Sequence, residues 1–268
     1  MSDTKIINNN YLDLLKYSEE FLNQSPFPYL VLDNFLDDSF FSKIKNSLDL
    51  DKSKGKNFNN AVEKNKWISK NTDLSNELQK IIKFLNSPEW ISNLEKFTTL
   101  NKLITSKLSN TYLANYHEME TNGFLGSHVD HSSDPDTGFP HVLNVVLYLT
   151  DNWDKDWGGG TTLLDSKGRK IQKVVNYKPN RALIFLHTPY SFHGVERIHN
   201  NRLKRSSIYV DYYSENFTPY KNLNLKFNNK WFRHSTCFIM PNFIDYLLPK
   251  NFYYTKTRIK YFISSLLN

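Results

Sequence analysis

Apolar residues recur at helical spacing through residues 11–23 (Tyr11, Leu12, Leu14, Leu15, Tyr17, Phe21, Leu22), a pattern that predicts an amphipathic helix ended by Pro26 and Pro28. Tyr29–Leu32 reads as a short strand and residues 37–48 as a second helix, with Asp37 or Asp38 near its N-cap. Residues 49–65 are polar and rich in Asn and Lys, the pattern of a loop. Helices are expected at 73–84 and 88–97; Ser87-Pro88-Glu89 supplies an N-cap, a first-turn proline and a first-turn acid.

From residue 107 the pattern changes to short β-rich runs such as HVLNVVLYLT, RALIFLH and SSIYVDYY, separated by Gly, Pro and Asn-Asp turns. Eight such runs point to an antiparallel sandwich or barrel of jelly-roll type instead of βαβ units. The expected fold is α+β and mainly β: a double-stranded β-helix (jelly roll) core packed by N-terminal helices. Residues 1–106 would be the helical support, 107–216 the core and 217–268 a basic C-terminal extension. No repeat at a fixed period stands out.

The chain has 268 residues, enough for a sizeable core, and 15% of them are aromatic. A single cysteine, Cys237, excludes an intramolecular disulfide and fits a reducing compartment. MSDTKIINNN has no apolar signal-like region and no apolar run is long enough for a membrane span, so a cytoplasmic location is expected. The net charge of +7 is localised: residues 217–268 carry eight Lys and Arg against Asp245 alone, and the rest is close to neutral. That weakens any reading in which the core itself grips a polyanion. A helix near 257–267 in this basic tail could touch a membrane surface or nucleic acid, but its commoner role is to pack one face and solvate the other.

The candidate chemistry lies in His128-Val129-Asp130, within FLGSHVDHSS, and His193, within SFHGVERI. Alternate side chains of a strand share a face, so His128 and Asp130 can address one atom while Val129 points away. With His193 they make two imidazoles and one carboxylate, the facial triad of non-haem Fe(II) oxygenases, which leaves coordination positions open. Between the ligands, HVLNVVLYLT reads as a strand buried on both faces. The triple glycine in DWGGGTT lets backbone pass close to its neighbour, and KPNRALIFLH is a turn feeding a strand.

This order, with Tyr116 ahead and Arg205-Ser206-Ser207 behind, resembles the 2-oxoglutarate and Fe(II)-dependent dioxygenases, most of all the prolyl-hydroxylase-like branch. The resemblance implies Fe(II) on His128, Asp130 and His193, with 2-oxoglutarate as cosubstrate and ascorbate as a candidate reductant. It places the distal carboxylate of 2-oxoglutarate on Arg205, in an R-x-S context with Ser207. A guanidinium suits that task because its planar fork matches a carboxylate and stays charged when buried. Arg202 and Lys204 stand close enough to leave that assignment open. Tyr148 matches a tyrosine that donates to the same carboxylate, and Tyr116 one that faces the cosubstrate. No catalytic side chain beyond the metal site is implied. Asn144 and Arg181 read as backbone and turn support, and His131, His141, His187 and His199 as structural or solvated.

The implied reaction is hydroxylation of an unactivated C–H bond with release of succinate and carbon dioxide. Asp130 favours it over halogenation, because the superfamily's halogenases replace that carboxylate with a small residue. A prolyl residue is the best substrate by branch; a small molecule, a glycan or nucleic acid are the alternatives, with loops 118–122 and 132–140 setting the choice. Nucleic-acid demethylases of the superfamily carry a second arginine where this chain has Asp211, so nucleic acid is disfavoured. A cupin-like metal-binding protein is the non-oxygenase alternative, and it has no use for Arg205.

Overall fold

In the computed structural model, residues 5–48, 52, 54–106, 115–215 and 230–268 are described. The first residues of the expected β region, 107–114, the start of the tail, 216–229, and parts of the loop after residue 48 lie outside them. Residues 11–23 do not form one helix. A 3-10 turn at Leu15–Tyr17 leads into the short α1 (Ser18–Leu22), because Asn93 claims the backbone before it: Leu14 N–H donates to Asn93 Oδ1 at 2.9 Å and the Tyr11 carbonyl accepts from Asn93 Nδ2 at 3.0 Å, while the Tyr11 hydroxyl donates to the Asp33 carbonyl at 2.6 Å. Leu12 and Leu15, apparent members of the apolar face, are exposed.

β1 (Tyr29–Leu32) and α2 (Asp38–Ile44) follow, with the Asp37 side chain accepting from Ser39 N–H as N-cap. The polar stretch read as a loop contains β2 (Lys56–Phe58) and the start of β3 (Glu63–Ser69), a hairpin missed because only one or two of its residues are fully buried and alternation is weak. α3 (Asn76–Leu85) and α4 (Pro88–Thr98) are capped by the hydroxyls of Ser75 and Ser87. The remaining strands are β4 (Leu103–Thr105), β5 (Tyr116–Val129), β6 (His141–Tyr148), β7 (Thr161–Leu164), β8 (Ile171–Val175), β9 (Arg181–Leu186), β10 (His193–Val195), β11 (Arg205–Ser214) and β12 (Cys237–Phe238). α5 (Phe243–Leu247) and α6 (Phe252–Leu267) end the chain, the latter starting five residues before the expected position.

The strands form one antiparallel sheet in the order β1-β9-β6-β11-β5-β10-β7-β8, with β3 and β12 also paired to β5 and β4 to β11. Such non-sequential order is that of a jelly roll, rolled so that one face lines an interior and the other is covered by helices. Every residue of β6 is buried, as its unbroken apolar run requires. Outward residues such as Leu143, Val145, Leu147 and Tyr212 pack with Trp90 and Phe97 of α4; inward residues such as Val146, Tyr148, Leu163 and Phe185 form a second cluster. The Tyr212 hydroxyl locks sheet to helices, accepting from Trp90 Nε1 at 3.0 Å and donating to the Leu85 carbonyl at 2.7 Å.

Asn180 ties the N-terminal segment to the turn before β9. It holds φ 57°, its Oδ1 accepts from Leu36 N–H at 2.7 Å and its Nδ2 donates to the Leu36 carbonyl at 3.0 Å. Asn180→Ala removes both buried bonds and places an unassisted Cβ in the left-handed region, so the expected loss is roughly 2–4 kcal/mol, measured by urea unfolding.

Candidate active site

His128 near the end of β5 lies directly opposite His193 at the start of β10, and the two rings stand 4.3 Å apart between centroids. Each Nδ1 is tied to a backbone carbonyl, Gly126 at 2.9 Å for His128 and Ser191 at 3.1 Å for His193, which turns each Nε2 inward. Asp130, just past β5, places Oδ1 3.4 Å from His128 Nε2 and Oδ2 3.4 Å from His193 Nε2. The three donor atoms lie within 4.8 Å of one another. A first-row divalent ion with bonds of roughly 2.0–2.2 Å keeps ligand atoms about 3 Å apart, so the set fits such an ion with little adjustment.

Electrostatics prepare the ligands. Burial pushes His128 down, and neighbouring His193 adds to that. For His193 burial is outweighed by the Asp130 carboxylate and the net shift is upward; for Asp130 burial is outweighed by the two imidazoles, holding it well below the usual carboxylate range. Asn144 on β6 donates Nδ2 to Asp130 Oδ2 at 2.9 Å and thereby orients the carboxylate. Read from sequence as backbone support, Asn144 is a partner of the candidate ligand Asp130; the signal was a polar residue interrupting an otherwise apolar buried run. Phe238 of β12 stacks on the His128 ring at 4.8 Å, and Phe185 tilts against His193 at 4.9 Å.

Deeper on the same interior face lies Arg205, only 1% exposed. Its Nε donates to the Gly159 carbonyl at 2.6 Å and its Nη1 to Ser207 Oγ at 3.1 Å, while the guanidinium rests over the rings of Tyr148 and Tyr177. Its Nη2 is buried without a hydrogen-bond partner, and no carboxylate among the described residues pairs with it. A buried cation in that state calls for an anion. Tyr148 shares a 2.6 Å hydrogen bond with Thr161 Oγ1. Because His193 pairs with Leu163, Thr161 stands two residues, about 7 Å, further along β7, and its bond to Tyr148 brings that ring, with Arg205 over it, to the same part of the interior. The middle glycine of the triplet serves this arrangement: Gly159 has φ 76°, and a Cβ there would press on Arg205 Cδ at 3.2 Å and Trp153 at 3.1 Å.

The neighbouring basic residues are placed elsewhere: Arg202 is exposed, and Lys204 lies 3.4 Å from Glu118 on the outward face. Tyr116 is not brought to the site. It pairs with Ile208 in the outward register, packs in the cluster beneath the helices and donates its hydroxyl to Glu118 at 2.9 Å. Strand parity accounts for this, since His117 and Met119 are the inward residues of that segment and His117 stacks on Tyr209 at 4.6 Å. Arg181 is structural, donating Nε to Asp33 Oδ1 at 2.6 Å, and His199 is exposed.

Above the ligands opens a cavity of about 450 Å³, walled by Phe58 and Lys66 of the β2–β3 hairpin, His117, Tyr209 and Asp211 of the core, and Tyr254 of α6. Segments expected as support and extension thus build the walls of the site. Beside it His131, His141 and His187 stack, with His141 and His187 nearly parallel at 3.9 Å, and His141 Nε2 lies 3.7 Å from Asp211. Burial pushes the Asp211 carboxyl up to about 6.

Two inward imidazoles and a carboxylate between them could hold one metal ion, and a buried guanidinium lies within the same rolled antiparallel sheet. Residues 113–212 match the family model described as "2OG-Fe(II) oxygenase superfamily". Among solved structures, a Trichoplax adhaerens prolyl hydroxylase in complex with a hypoxia-inducible-factor peptide fragment superposes with TM-score 0.53 at 19% identity, covering 75% of this chain and 90% of that one. A Pseudomonas putida prolyl-4-hydroxylase gives 0.52 at 13% identity, covering 76% and 100%. The carbocyclase SnoK of nogalamycin biosynthesis gives 0.54 at 13% identity, covering 76% and 86%. These likenesses establish a shared fold. No curated protein matches significantly in sequence.

Two outcomes follow. Asn144→Ala frees the Asp130 carboxylate and is expected to weaken Co(II) or Fe(II) binding roughly 10–100-fold in an anaerobic titration. Asp211 carries a folded pKa above that of an unfolded carboxyl, near 3.9, so its ionisation costs stability as pH rises through about 6. Asp211→Asn should therefore raise the melting temperature of metal-free protein more at pH 8 than at pH 5, the gain at pH 8 being roughly 1–2 kcal/mol.

Proposed function

We propose that the chain is an Fe(II)- and 2-oxoglutarate-dependent hydroxylase acting on a prolyl residue of a peptide or a closely related substrate. The observation that carries the reading is the His128, Asp130 and His193 donor set together with a buried Arg205 whose Nη2 has no hydrogen-bond partner. His128, Asp130 and His193 would hold Fe(II). Arg205, positioned by Ser207 and Gly159, would bind the distal carboxylate of 2-oxoglutarate, with the Tyr148 hydroxyl, now bonded to Thr161, beside it. When both are bound they supply the oxidising chemistry: one atom of dioxygen enters the keto acid, giving succinate and carbon dioxide, and the other enters the substrate C–H bond.

The chain itself contributes placement and exclusion of water. His128 and His193 are 4% exposed, and Phe238 and Phe185 cover their rings, so the reacting volume is dry on the protein side. Asn144 keeps the carboxylate from rotating out of the ligand set. Above it, the aromatic walls formed by Tyr209, His117 and Tyr254 suit a small apolar ring such as the pyrrolidine of a prolyl residue, and the cavity's opening leaves room for flanking chain. Ascorbate would serve as reductant to return the metal to its ferrous state, and the protein would work in the cytoplasm.

A panel of proline-containing peptides and small metabolites, incubated with Fe(II), 2-oxoglutarate and ascorbate, tests the reading by coupled succinate release and product mass. A peptide gaining one oxygen on proline supports it; turnover only with a small molecule or glycan overturns the substrate. Arg205→Met should raise the dissociation constant for 2-oxoglutarate at least 100-fold while leaving metal affinity within about twofold. His128→Ala should instead lose metal affinity and, with it, the metal-dependent part of 2-oxoglutarate binding.

A further inference from the structure

The tail helix does not present the polar outer face expected of a helix that packs one side and solvates the other. Of the thirteen large hydrophobic residues exposed among the described residues, ten lie in 243–267. On α6 the inward side is made by Thr257 and by Tyr261, whose ring meets Phe232 at 5.1 Å and Phe192 at 6.0 Å and whose hydroxyl bonds the Pro189 carbonyl. At 3.6 residues per turn, Phe252, Ile259, Ile263 and Leu266 align on the opposite side with Phe262 and Leu267 beside them. Phe252 and Leu266 are each 69% exposed and Leu267 79%. Lys256 and Lys260 stand exposed between these residues, and no acidic residue occurs in Phe252–Leu267. α5 adds the exposed Phe243, Ile244 and Leu247.

We infer that the outward face of α6, with α5, seats the protein on an anionic membrane surface. A contiguous apolar face of this kind left in water is unfavourable and marks an interaction site. Three occupants compete for it. A second copy docked along α6 about a two-fold axis would bring the Lys256 and Lys260 pair of one copy near that of the other, with no acid on α6 to offset them. Nucleic acid would neutralise the lysines and leave Phe262, Ile263 and Leu266 in water. A bilayer with acidic headgroups satisfies both features at once, the aromatic and aliphatic side chains entering the acyl boundary while the lysines meet the headgroups. The helix is sixteen residues long and no described helix is long and apolar enough to cross a membrane, so it would lie in the interface plane. Tyr253 and Tyr254 at its start line the cavity above the metal ligands, so docking would set the mouth of the active site beside the lipid surface. The inference stands independently of the reaction proposed above.

Flotation of the full chain with vesicles tests it, using phosphatidylcholine alone and phosphatidylcholine with about one third phosphatidylglycerol. Binding to the anionic vesicles at least tenfold tighter than to the neutral ones, weakened but not abolished by salt, is the expected result. The triple variant Phe262→Ser, Ile263→Ser, Leu266→Ser should lose at least tenfold in partition while keeping the circular-dichroism melt and Co(II) affinity of the parent. Lys256→Glu with Lys260→Glu should remove the preference for anionic lipid. Absence of binding to either vesicle overturns the inference, as does a dimer in light scattering that the triple variant converts to monomer, or binding to RNA with none to vesicles.

Discussion

Pairing of β5 with β10 in one register sets everything else in this structure. His128 and His193 stand opposite each other only in that alignment, and because side chains alternate, a slip of one residue would send one imidazole to the other face and leave Val129 or Gly194 in its place. Pairing on both sides of this seam fixes the register. β7 holds β10 through His193 and Leu163, and β12 holds β5 through Phe238 and His128. Glycines allow the approach: a Cβ on Gly194 would press on the Leu125 carbonyl at 2.7 Å, and one on Gly126 on the Val62 carbonyl at 3.1 Å. The site is therefore a property of the sheet, and Asp130 completes it from the first residue beyond the strand.

The charges within the roll follow from the same economy. A buried carboxylate between two imidazoles and a buried guanidinium without a counter-anion are each unfavourable alone. A divalent cation answers the first and a carboxylate the second, the two charges that the proposed metal and cosubstrate would bring. Arg205 avoids the surface because Gly159, with its positive φ, brings a backbone carbonyl to its Nε and Ser207 occupies one terminal nitrogen.

Much of this was legible in the chain. The strand at Tyr29–Leu32, the two helices near 73–84 and 88–97, the latter with its Ser87 cap, and the fully buried run of β6 each followed from local pattern, because burial on one or both faces writes itself into periodicity. What escaped was decided at a distance. Residues 11–23 carry helical spacing, yet Asn93 and Asp33 compete for their polar groups and break the helix. The β2–β3 hairpin and β12 are short, polar or irregular in sequence and exist because β5 offers edges to pair with. Tyr116 was aligned to a family position, but strand parity turns it outward and puts His117 in the cavity. The role of Asn144 needed the register that sets it against Asp130, and the basic tail hid an aromatic wall of the active site behind its charge count.

The central claim is that one ion sits between His128, Asp130 and His193 with a keto acid chelated beside it and held at its far end by Arg205. Anaerobic addition of Fe(II) and then 2-oxoglutarate to the purified chain measures this directly, through the weak visible metal-to-ligand charge-transfer band that appears only when the keto acid chelates bound iron. The account predicts a band saturating at one equivalent of each, absent in His193→Ala and restored in Arg205→Met only at far higher 2-oxoglutarate. No band in the parent protein, or an unchanged band in His193→Ala, would contradict it.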